Sequence, residues 1–360
     1  MNSNQHLWCI IMAGGIGSRF WPMSQADNPK QFLDIMGTGQ SMLQGTFARM
    51  ELICPRNNII IVTAAGQAPK VREQVSGLAA YQVLSEPVRR NTAPCVAYAA
   101  AVIASLDPQA TVIVTPSDHA VFGTSRFVAD MAEAVEVATQ QGWTVTIGSE
   151  PTNPNSKYGY IQYAEGASLV EGHRRLHPVV TFTEKPPTEV AQQFIASGEF
   201  FWNTGIQVWP LGQLMEAYRQ HLPAVAQLLF GLDSRSSAEQ VKAAYSTVES
   251  ISIDNGIMEH MSNVHVLEAS FGWSDIETWD SLYNTYPHDP DGNAVVSGNA
   301  YLYDVKDSVV HIPHNKTVVI KGLEGYIVVS KDDTLLICPR ADEEQLFRFS
   351  NDVELGLRGQ

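Results

Sequence analysis

Leu7-Trp8-Cys9-Ile10-Ile11-Met12-Ala13-Gly14-Gly15-Ile16-Gly17-Ser18-Arg19 is the stretch whose reading decides the fold. Its apolar run shows no polar alternation, which describes a strand buried on both faces, as in a parallel sheet. The run stops at glycines, and open α/β sheets bind ligands beyond such strand ends. Glycines also let backbone N–H groups close around phosphate oxygens. By itself the turn carries no more than that, because many strand-to-loop turns hold glycine for steric reasons. It is not a P-loop, since no GxxxxGK[ST] is present. Nor is it the dinucleotide fingerprint, because Gly15-Ile16-Gly17 continues into Ser18-Arg19-Phe20.

Outward from this strand, the pattern predicts helices over 41–52, 67–79, 92–105 and 126–141. They alternate with strands over 58–63, 81–85, 110–115 and 143–148. Such alternation predicts a doubly wound, mostly parallel α/β sheet. Further strands are expected over 158–163, 179–184, 200–209 and 264–268, with helices over 188–197, within 211–261 and over 276–286. The breaker cluster 288–293 marks a boundary, which divides the chain into a segment 1–287 and a segment 288–360. In the latter, short strands over 300–303, 309–312, 317–320, 326–329 and 334–337 recur, with no helix before about 343. Their texture fits a sandwich, a barrel or a β-solenoid, and no strict repeat chooses among them.

The chain has 360 residues, 44% of them hydrophobic, enough for a large domain and a smaller one. Its 23 basic and 38 acidic side chains give a formal net charge of −15. That balance argues against nucleic-acid partners, and makes a cation beside a glycine turn more informative than usual. No apolar run approaches the roughly 18–20 residues a membrane span needs. The N-terminus has no basic start, and its apolar run is short for a secretory signal, so a cytoplasmic protein is expected. Cys9, Cys54, Cys95 and Cys338 form no CxxC pair and read as small hydrophobic residues.

Beyond the turn, Trp21-Pro22-Met23-Ser24 and Pro29-Lys30-Gln31-Phe32 complete a longer pattern. Gly14-Gly15-x-Gly17-x-Arg19-x-Trp21-Pro22 with Lys30 resembles the signature of the sugar-phosphate nucleotidylyltransferases. The Trp-Pro-Met-Ser and Pro-Lys-Gln-Phe variants are similar to those of mannose-1-phosphate guanylyltransferases. In order along the chain, 85–94, 115–119, 182–186, 202–206 and 271–276 resemble that family's base, metal, sugar and second metal segments. The resemblance implies a Rossmann-like catalytic domain, and a left-handed β-helix for the β-rich C-terminal segment. It implies transfer of GMP from GTP to mannose 1-phosphate, with Mg²⁺ on Asp118 and Asp275. It further implies Arg19 and Lys30 as catalytic cations, and Ala13, Gly14, Gly15, Gly17, Ser18, Glu86, Asn91, Thr92, Ala93, Pro116 and Ser117 around the nucleotide. Gly159, Glu184, Lys185 and Asn203 would hold the sugar phosphate. No nucleic acid or membrane is a partner, and the C-terminal segment is a candidate homodimer interface or cap.

The residues themselves admit these roles beside plainer ones. Asp118 follows a predicted strand, where one or two carboxylates plus substrate phosphates suit Mg²⁺, or where an Asx-turn would suffice. Asp275 is either a metal ligand or the cap of a helix from Ile276. His119 reads as structural, because a sugar 1-phosphate is already anionic and needs no general base. Glu184 accepts sugar hydroxyls in this reading, while Lys185 points elsewhere by strand alternation unless the strand breaks before Pro186. Asn203 offers a donor and an acceptor to a hydroxyl pair, or bridges two backbone segments. Gly159 brings backbone to the sugar or is a bulge. Glu86 and Asn91 are acceptors for guanine's N–H groups, and Asn91 also suits a helix cap.

Two positions depart from the family pattern: Gln25 stands where arginine is common, and Glu277 where glycine is, which puts close backbone approach there in question. Some members of the family carry a fused cupin isomerase domain, for which 360 residues are expected to leave no room. Alternatives are a guanylyltransferase for a heptose or fucose phosphate, or a non-catalytic nucleotide-sugar sensor. Retention of Arg19, Lys30, Asp118 and Asp275 favours an enzyme.

Overall fold

The structure is a computed structural model that describes residues 5–15, 18–25, 27–164, 173, 175–296 and 298–356. Gly17 lies outside the described residues. In chain order come β1 (Leu7–Met12), α1 (Met42–Glu51), β2 (Ile59–Ala64), α2 (Ala68–Gln74), β3 (Val83–Glu86), α3 (Thr92–Leu106), β4 (Thr111–Pro116), β5 (Ala120–Phe122), α4 (Thr124–Gln141) and β6 (Thr144–Ser149). Then follow β7 (Tyr160–Tyr163), β8 (Leu176–Thr183), α5 (Thr188–Ser197), β9 (Phe200–Pro210), α6 (Leu211–His221), α7 (Pro223–Leu229), α8 (Ala238–Tyr245), α9 (Ile253–Gly256), β10 (Val264–Glu268), β11 (Gly272–Ser274) and α10 (Trp279–Thr285).

Nine of these strands form one sheet in the order β3-β2-β1-β4-β9-β6-β10-β8-β7, while β5 and β11 pair with each other. The four strands β3, β2, β1 and β4 run parallel, as do β6 and β10. Beyond them two strands are reversed: β9 runs antiparallel to both β4 and β6, and β8 to both β10 and β7, so seven of the nine strands share one direction and the sheet is mostly parallel, as expected. An apolar run reports that both faces are covered, not which way the strand points, so periodicity was silent on this. The sheet is therefore a mixed one with a Rossmann-like parallel half.

By packing, the chain divides into two units. Unit 1 comprises Met1–Gly14, Thr46–Ser117 and Val121–Trp273, and unit 2 comprises Gly15–Gly45, Asp118–Ala120 and Ser274–Gln360. The segments 1–287 and 288–360 describe the texture of the sequence; by packing, unit 2 also takes chain from the first of them.

Unit 1 is built around α3. Its small residues, Ala93, Ala97, Ala99 and Ala100 among them, are fully buried and let the helix approach the sheet closely. Trp8, Ile10, Ile60, Val62, Val112 and Val114 of the parallel strands join one cluster with α3, Leu214 and Tyr218 of α6, and Tyr245 of α8. The alternate residues Cys9, Ile11, Ile61 and Ile113 are equally buried, so the sheet is covered on both faces. Each large side chain withdrawn from water contributes about 1.5–3 kcal/mol. Along α4 the residues Phe127, Met131, Ala134 and Ala138 are buried at helical spacing, and this helix lies against β4, β6 and β9.

Unit 2 continues with β12 (Ala294–Val296), β13 (Asn299–Tyr303), β14 (Val309–His311), β15 (Thr317–Lys321), β16 (Tyr326–Lys331), β17 (Thr334–Pro339) and α11 (Leu346–Glu354). Val309 pairs with Ile327, Asn299 with Thr317 and Lys306 with Glu324, all in parallel and each offset by 18 residues. The β12–β14 ladder is also parallel, at an offset of 15, and only β16–β17 pairs antiparallel among these strands, which differs from the antiparallel pairing of a sandwich. The core of this unit joins Val309, Ile327 and Leu336 to Ile276 and Trp279, and to Phe20, Leu33 and Ile35 of the loop after the glycine turn. Phe20 meets Trp279 edge to face at 5.0 Å, and the Trp279 indole N–H donates to the Trp21 carbonyl at 3.2 Å.

Gly148 marks a close approach inside β6. A Cβ there would lie 2.7 Å from both Phe201 Cβ and Val266 Cγ2. Gly148→Ala is therefore expected to destabilise the protein by about 1–3 kcal/mol through overpacking, measured by denaturant unfolding.

Candidate functional site

In unit 2 the sequence candidates Lys30, Asp118 and Asp275 come together. Lys30 begins a 3₁₀ turn, Lys30–Phe32, directly after Pro29. Its side chain is only 3% exposed, and its Nζ lies 3.2 Å from Asp118 Oδ2 and 3.4 Å from Asp275 Oδ1. Burial pushes the Lys30 pKa down, but the two carboxylates outweigh it and hold the ammonium above its ordinary value. Burial likewise pushes Asp118 up, yet Lys30 and then His119 bring its carboxyl below the usual range. An ionised Lys30 thus sits against an ionised Asp118. His119 is part of this group, its Nε2 3.6 Å from Asp275 Oδ1.

Asp275 does not cap a helix. The helix expected from 276 begins instead at Trp279, because Thr278 Oγ1 accepts from Ser281 N–H and Ser281 Oγ from Thr278 N–H, a closed capping box. Among the described residues no cluster of three or more metal-ligating side chains occurs. The hard-oxygen pair Asp118 and Asp275 nonetheless fits a cation that draws its other ligands from substrate phosphates and water, the usual arrangement for Mg²⁺.

Arg19 is 59% exposed, and its Nη1 lies 2.6 Å from Glu277 Oε2. The family departure at Glu277 thereby supplies a counter-ion for the candidate cation. An exposed pair of this kind contributes about 0–1 kcal/mol, so a phosphate can displace it. Gln25, the other departure, is exposed and exchanges backbone hydrogen bonds with Asn28. On the glycine turn, the Gly15 carbonyl accepts from the buried Gln31 amide at 3.0 Å, and Ser18 starts the 3₁₀ turn Ser18–Phe20.

Unit 1 holds the other candidates in two groups. In the first, Ala13 is tied to β2 by N–H donation to the Val62 carbonyl at 2.8 Å and by acceptance from Thr63 Oγ1 at 2.9 Å. Glu86 ends β3 with its side chain buried, and a Cβ on Gly14 would lie 3.4 Å from its Oε2. The Tyr245 hydroxyl stands 3.1 Å from Glu86 Oε1. Burial lifts the Glu86 pKa to about 7, against the lowering effects of Tyr245 and Arg89. Asn91, at φ 68°, caps α3 by accepting from Thr92 N–H at 2.8 Å. Much of the rest is committed to the fold: Thr92 Oγ1 accepts from Ile253 N–H, the Ala93 carbonyl accepts from Tyr218, and Ser117 N–H donates to the Met12 carbonyl. Pro116 closes β4 and lies under Gly205, where a Cβ would be 3.3 Å from its Cγ.

The second group joins Gly159, Glu184 and Asn203. Asn203 N–H donates to the Gly159 carbonyl at 2.8 Å, and a Cβ on Gly159 would meet Glu184 Oε2 at 2.7 Å. A side chain here would push the Glu184 carboxylate aside. Strand alternation would send Lys185 away from Glu184, but β8 has ended and Lys185 turns at φ 47°, so its Nζ lies 3.0 Å from Glu184 Oε1. The Asn203 amide bridges: its Oδ1 accepts from Gly205 N–H, and its Nδ2 donates to Asp254 Oδ1 at 2.9 Å. Asp254 and Tyr245 were not singled out in the sequence. Nothing local marks either, since Asp254 reads as an ordinary residue in the turn after the helix cap Ser252.

The Glu86 shift has a stability consequence. Between its ordinary value of 4.5 and about 7, the folded chain keeps a proton there that the unfolded chain releases. Relative to Glu86→Gln, the wild type should therefore lose about 1–3 kcal/mol as pH rises through that window, then level off. Denaturant titrations at pH 4.5, 6 and 8 measure it, and a pH-independent difference would contradict the raised pKa.

Similarity to known proteins follows the same residues. The nucleotidyl transferase family model matches residues 8–292. A putative mannose-1-phosphate guanylyltransferase of Vibrio cholerae is 32% identical over 96% of this chain and 73% of its own length. The mannose-1-phosphate guanylyltransferase of Escherichia coli K12 is 31% identical over 93% of this chain and 70% of its own. A crystal structure from Thermus thermophilus, described as a mannose-1-phosphate geranyltransferase, superposes with a TM-score of 0.86 at 28% identity, covering 97% of this chain and 99% of that one. With most of its length matched and its glycine turn, buried lysine and paired aspartates in the expected order, the chain belongs to the nucleotidyl transferase family.

Proposed function

We propose that the protein transfers GMP from GTP to α-D-mannose 1-phosphate, giving GDP-mannose and pyrophosphate. The observation that carries this reading is the buried Lys30 ammonium held between Asp118 and Asp275, in a chain whose relatives bear that activity in their names. A phosphate oxygen of the sugar phosphate attacks the α-phosphorus in line, and the bond to the β-phosphate bridging oxygen breaks as pyrophosphate leaves. Nothing on the protein is alkylated or acylated, so catalysis is positioning and charge neutralisation.

Lys30 and Arg19 neutralise phosphate oxygens, and the turn at Ala13, Gly14, Gly15, Gly17 and Ser18 supplies backbone N–H groups. Asp118 and Asp275 would hold Mg²⁺, which when bound offsets phosphate charge. Glu86 accepts from guanine, beside Asn91, Thr92, Ala93, Pro116 and Ser117. Glu184, Asn203 and the Gly159 backbone receive the sugar, and Lys185 its phosphate. His119 orients the aspartates rather than removing a proton. All these residues fall in the segment 1–287, which we take as the catalytic one.

The 18-residue offset shared by β13–β15, β14–β16 and the Lys306–Glu324 bridge supports a β-helix for 288–360, and we take its hand as left. Exposed Tyr301, Tyr303 and Val319 support a homodimer through that segment, which sedimentation would measure. Among the described residues no helix is long and apolar enough to cross a membrane, and the substrates suit a cytoplasmic enzyme.

Pyrophosphate release, with several nucleoside triphosphates crossed against several sugar 1-phosphates, tests the whole reading. Activity confined to dTTP with glucose 1-phosphate would sink it, and no activity with any pair would favour a sensor. Lys30→Ala is expected to lower kcat by about 10²–10³ in a protein that still folds; near-wild-type release would remove Lys30 from catalysis. Asp118→Asn should abolish or weaken the response to added Mg²⁺, and an unchanged metal titration would count against that ligand.

A further inference from the structure

We propose that Asp254 reads the ring hydroxyls of the sugar 1-phosphate, with Asn203 and Gln207 as the residues that position it. The inference deepens the reading of Gly159 and Glu184 as sugar-side residues and rests on it.

Asp254 stands in the single turn of α9, remote in sequence from β9, yet two amides of β9 converge on it. Asn203 Nδ2 donates to Oδ1 at 2.9 Å and Gln207 Nε2 to the same oxygen at 3.4 Å. The orientation of Asn203 is dictated, since its Oδ1 must face the Gly205 N–H at 3.0 Å. Gln207 is fixed likewise, its Oε1 accepting from the Trp209 indole at 3.0 Å. Both donors land on Oδ1, and no side chain donates to Oδ2 among the described residues. Asn203 has spent one N–H and one lone pair on this bridge, so its clearest task is to aim the carboxylate.

The same cluster contains a second acid. Gly159, Glu184 and Asn203 are contiguous, because a Cβ on Gly159 would lie 2.7 Å from Glu184 Oε2 and 3.3 Å from Asn203 Cβ. Burial raises the Asp254 pKa to about 6 against the Asn203 bond, and Glu184 adds to the rise. Asp254 is half-buried while Glu184 is exposed and paired with Lys185, so a ligand rich in hydrogen-bond donors is what the half-buried acid lacks. A sugar ring is such a ligand, whereas a phosphate is repelled. The acids thus take the hydroxyl end, and the Lys185 ammonium, 3.0 Å from Glu184 Oε1, is the cation for the other. Tyr158 packs edge to face on Trp202 at 4.9 Å and on Trp273 at 5.3 Å, an aromatic wall beside Gly159. An inverted hydroxyl would leave a carboxylate oxygen without its donor, and sites of that kind discriminate strongly.

Asp254→Asn keeps the shape and the Asn203 and Gln207 bonds while removing the charge. Its KM for mannose 1-phosphate should rise about tenfold or more, with the GTP KM within about twofold and the preference over glucose 1-phosphate reduced. Asp254→Glu serves if the Asn variant fails to fold, with the same readouts. Glu184→Gln is measured in parallel. An unchanged sugar KM and preference in the Asp254 variant, with a raised sugar KM in Glu184→Gln, overturns the role of Asp254 alone. Unchanged sugar KM in both overturns the sugar-side reading as well. Equal rises in both substrates' KM without altered sugar preference would mark Asp254 as merely structural.

Discussion

The buried ammonium of Lys30 is the constraint on which the site in unit 2 depends. A lysine so enclosed would surrender its proton unless anions stood against it, and Asp118 and Asp275 do so from distant points of the chain. Removing an ion group from water is unfavourable, and only good geometry recovers the loss. That geometry is supplied by the apolar core of unit 2, where Phe20 and Ile35 of the loop pack with Ile276, Trp279 and the C-terminal strands. The C-terminal β-segment therefore shares a core with the loop that carries the cations.

Unit 1 is organised by its sheet, which is buried on both faces. Its parallel half ends in groups whose backbone bonds are already committed, as at Ala13, Ala93 and Ser117. Those residues shape by their backbone course. The acids of unit 1 with raised pKa values are Glu86 and Asp254, each lifted by burial and tempered by neighbouring side chains, Tyr245 and Arg89 for the first and Asn203 for the second. Groups of that character concentrate at functional sites.

The departures from the family pattern become intelligible in the fold. The Glu277 side chain reaches Arg19 and pairs with it at the surface. Gln25 takes part in a local backbone turn with Asn28 and brings no charge to the loop. The consequence is that Lys30 is the enclosed cation and Arg19 the displaceable one.

What the sequence determined by itself was local. The uninterrupted apolar run before the glycines announced a buried strand, the alternation of periods announced the parallel half of the sheet, and the ordered motifs announced the family and its candidate residues. Such signals survive because burial, turn chemistry and charge type are written within a few neighbouring residues. Strand direction in the mixed half, the helix start at Trp279, the turn of Lys185 toward Glu184 and the convergence of Asn203 and Gln207 on Asp254 were decided only in three dimensions. The strand directions and the convergence on Asp254 depend on which distant segment packs alongside, whereas the start at Trp279 and the turn of Lys185 follow from capping and backbone geometry that a hydrophobic period does not encode.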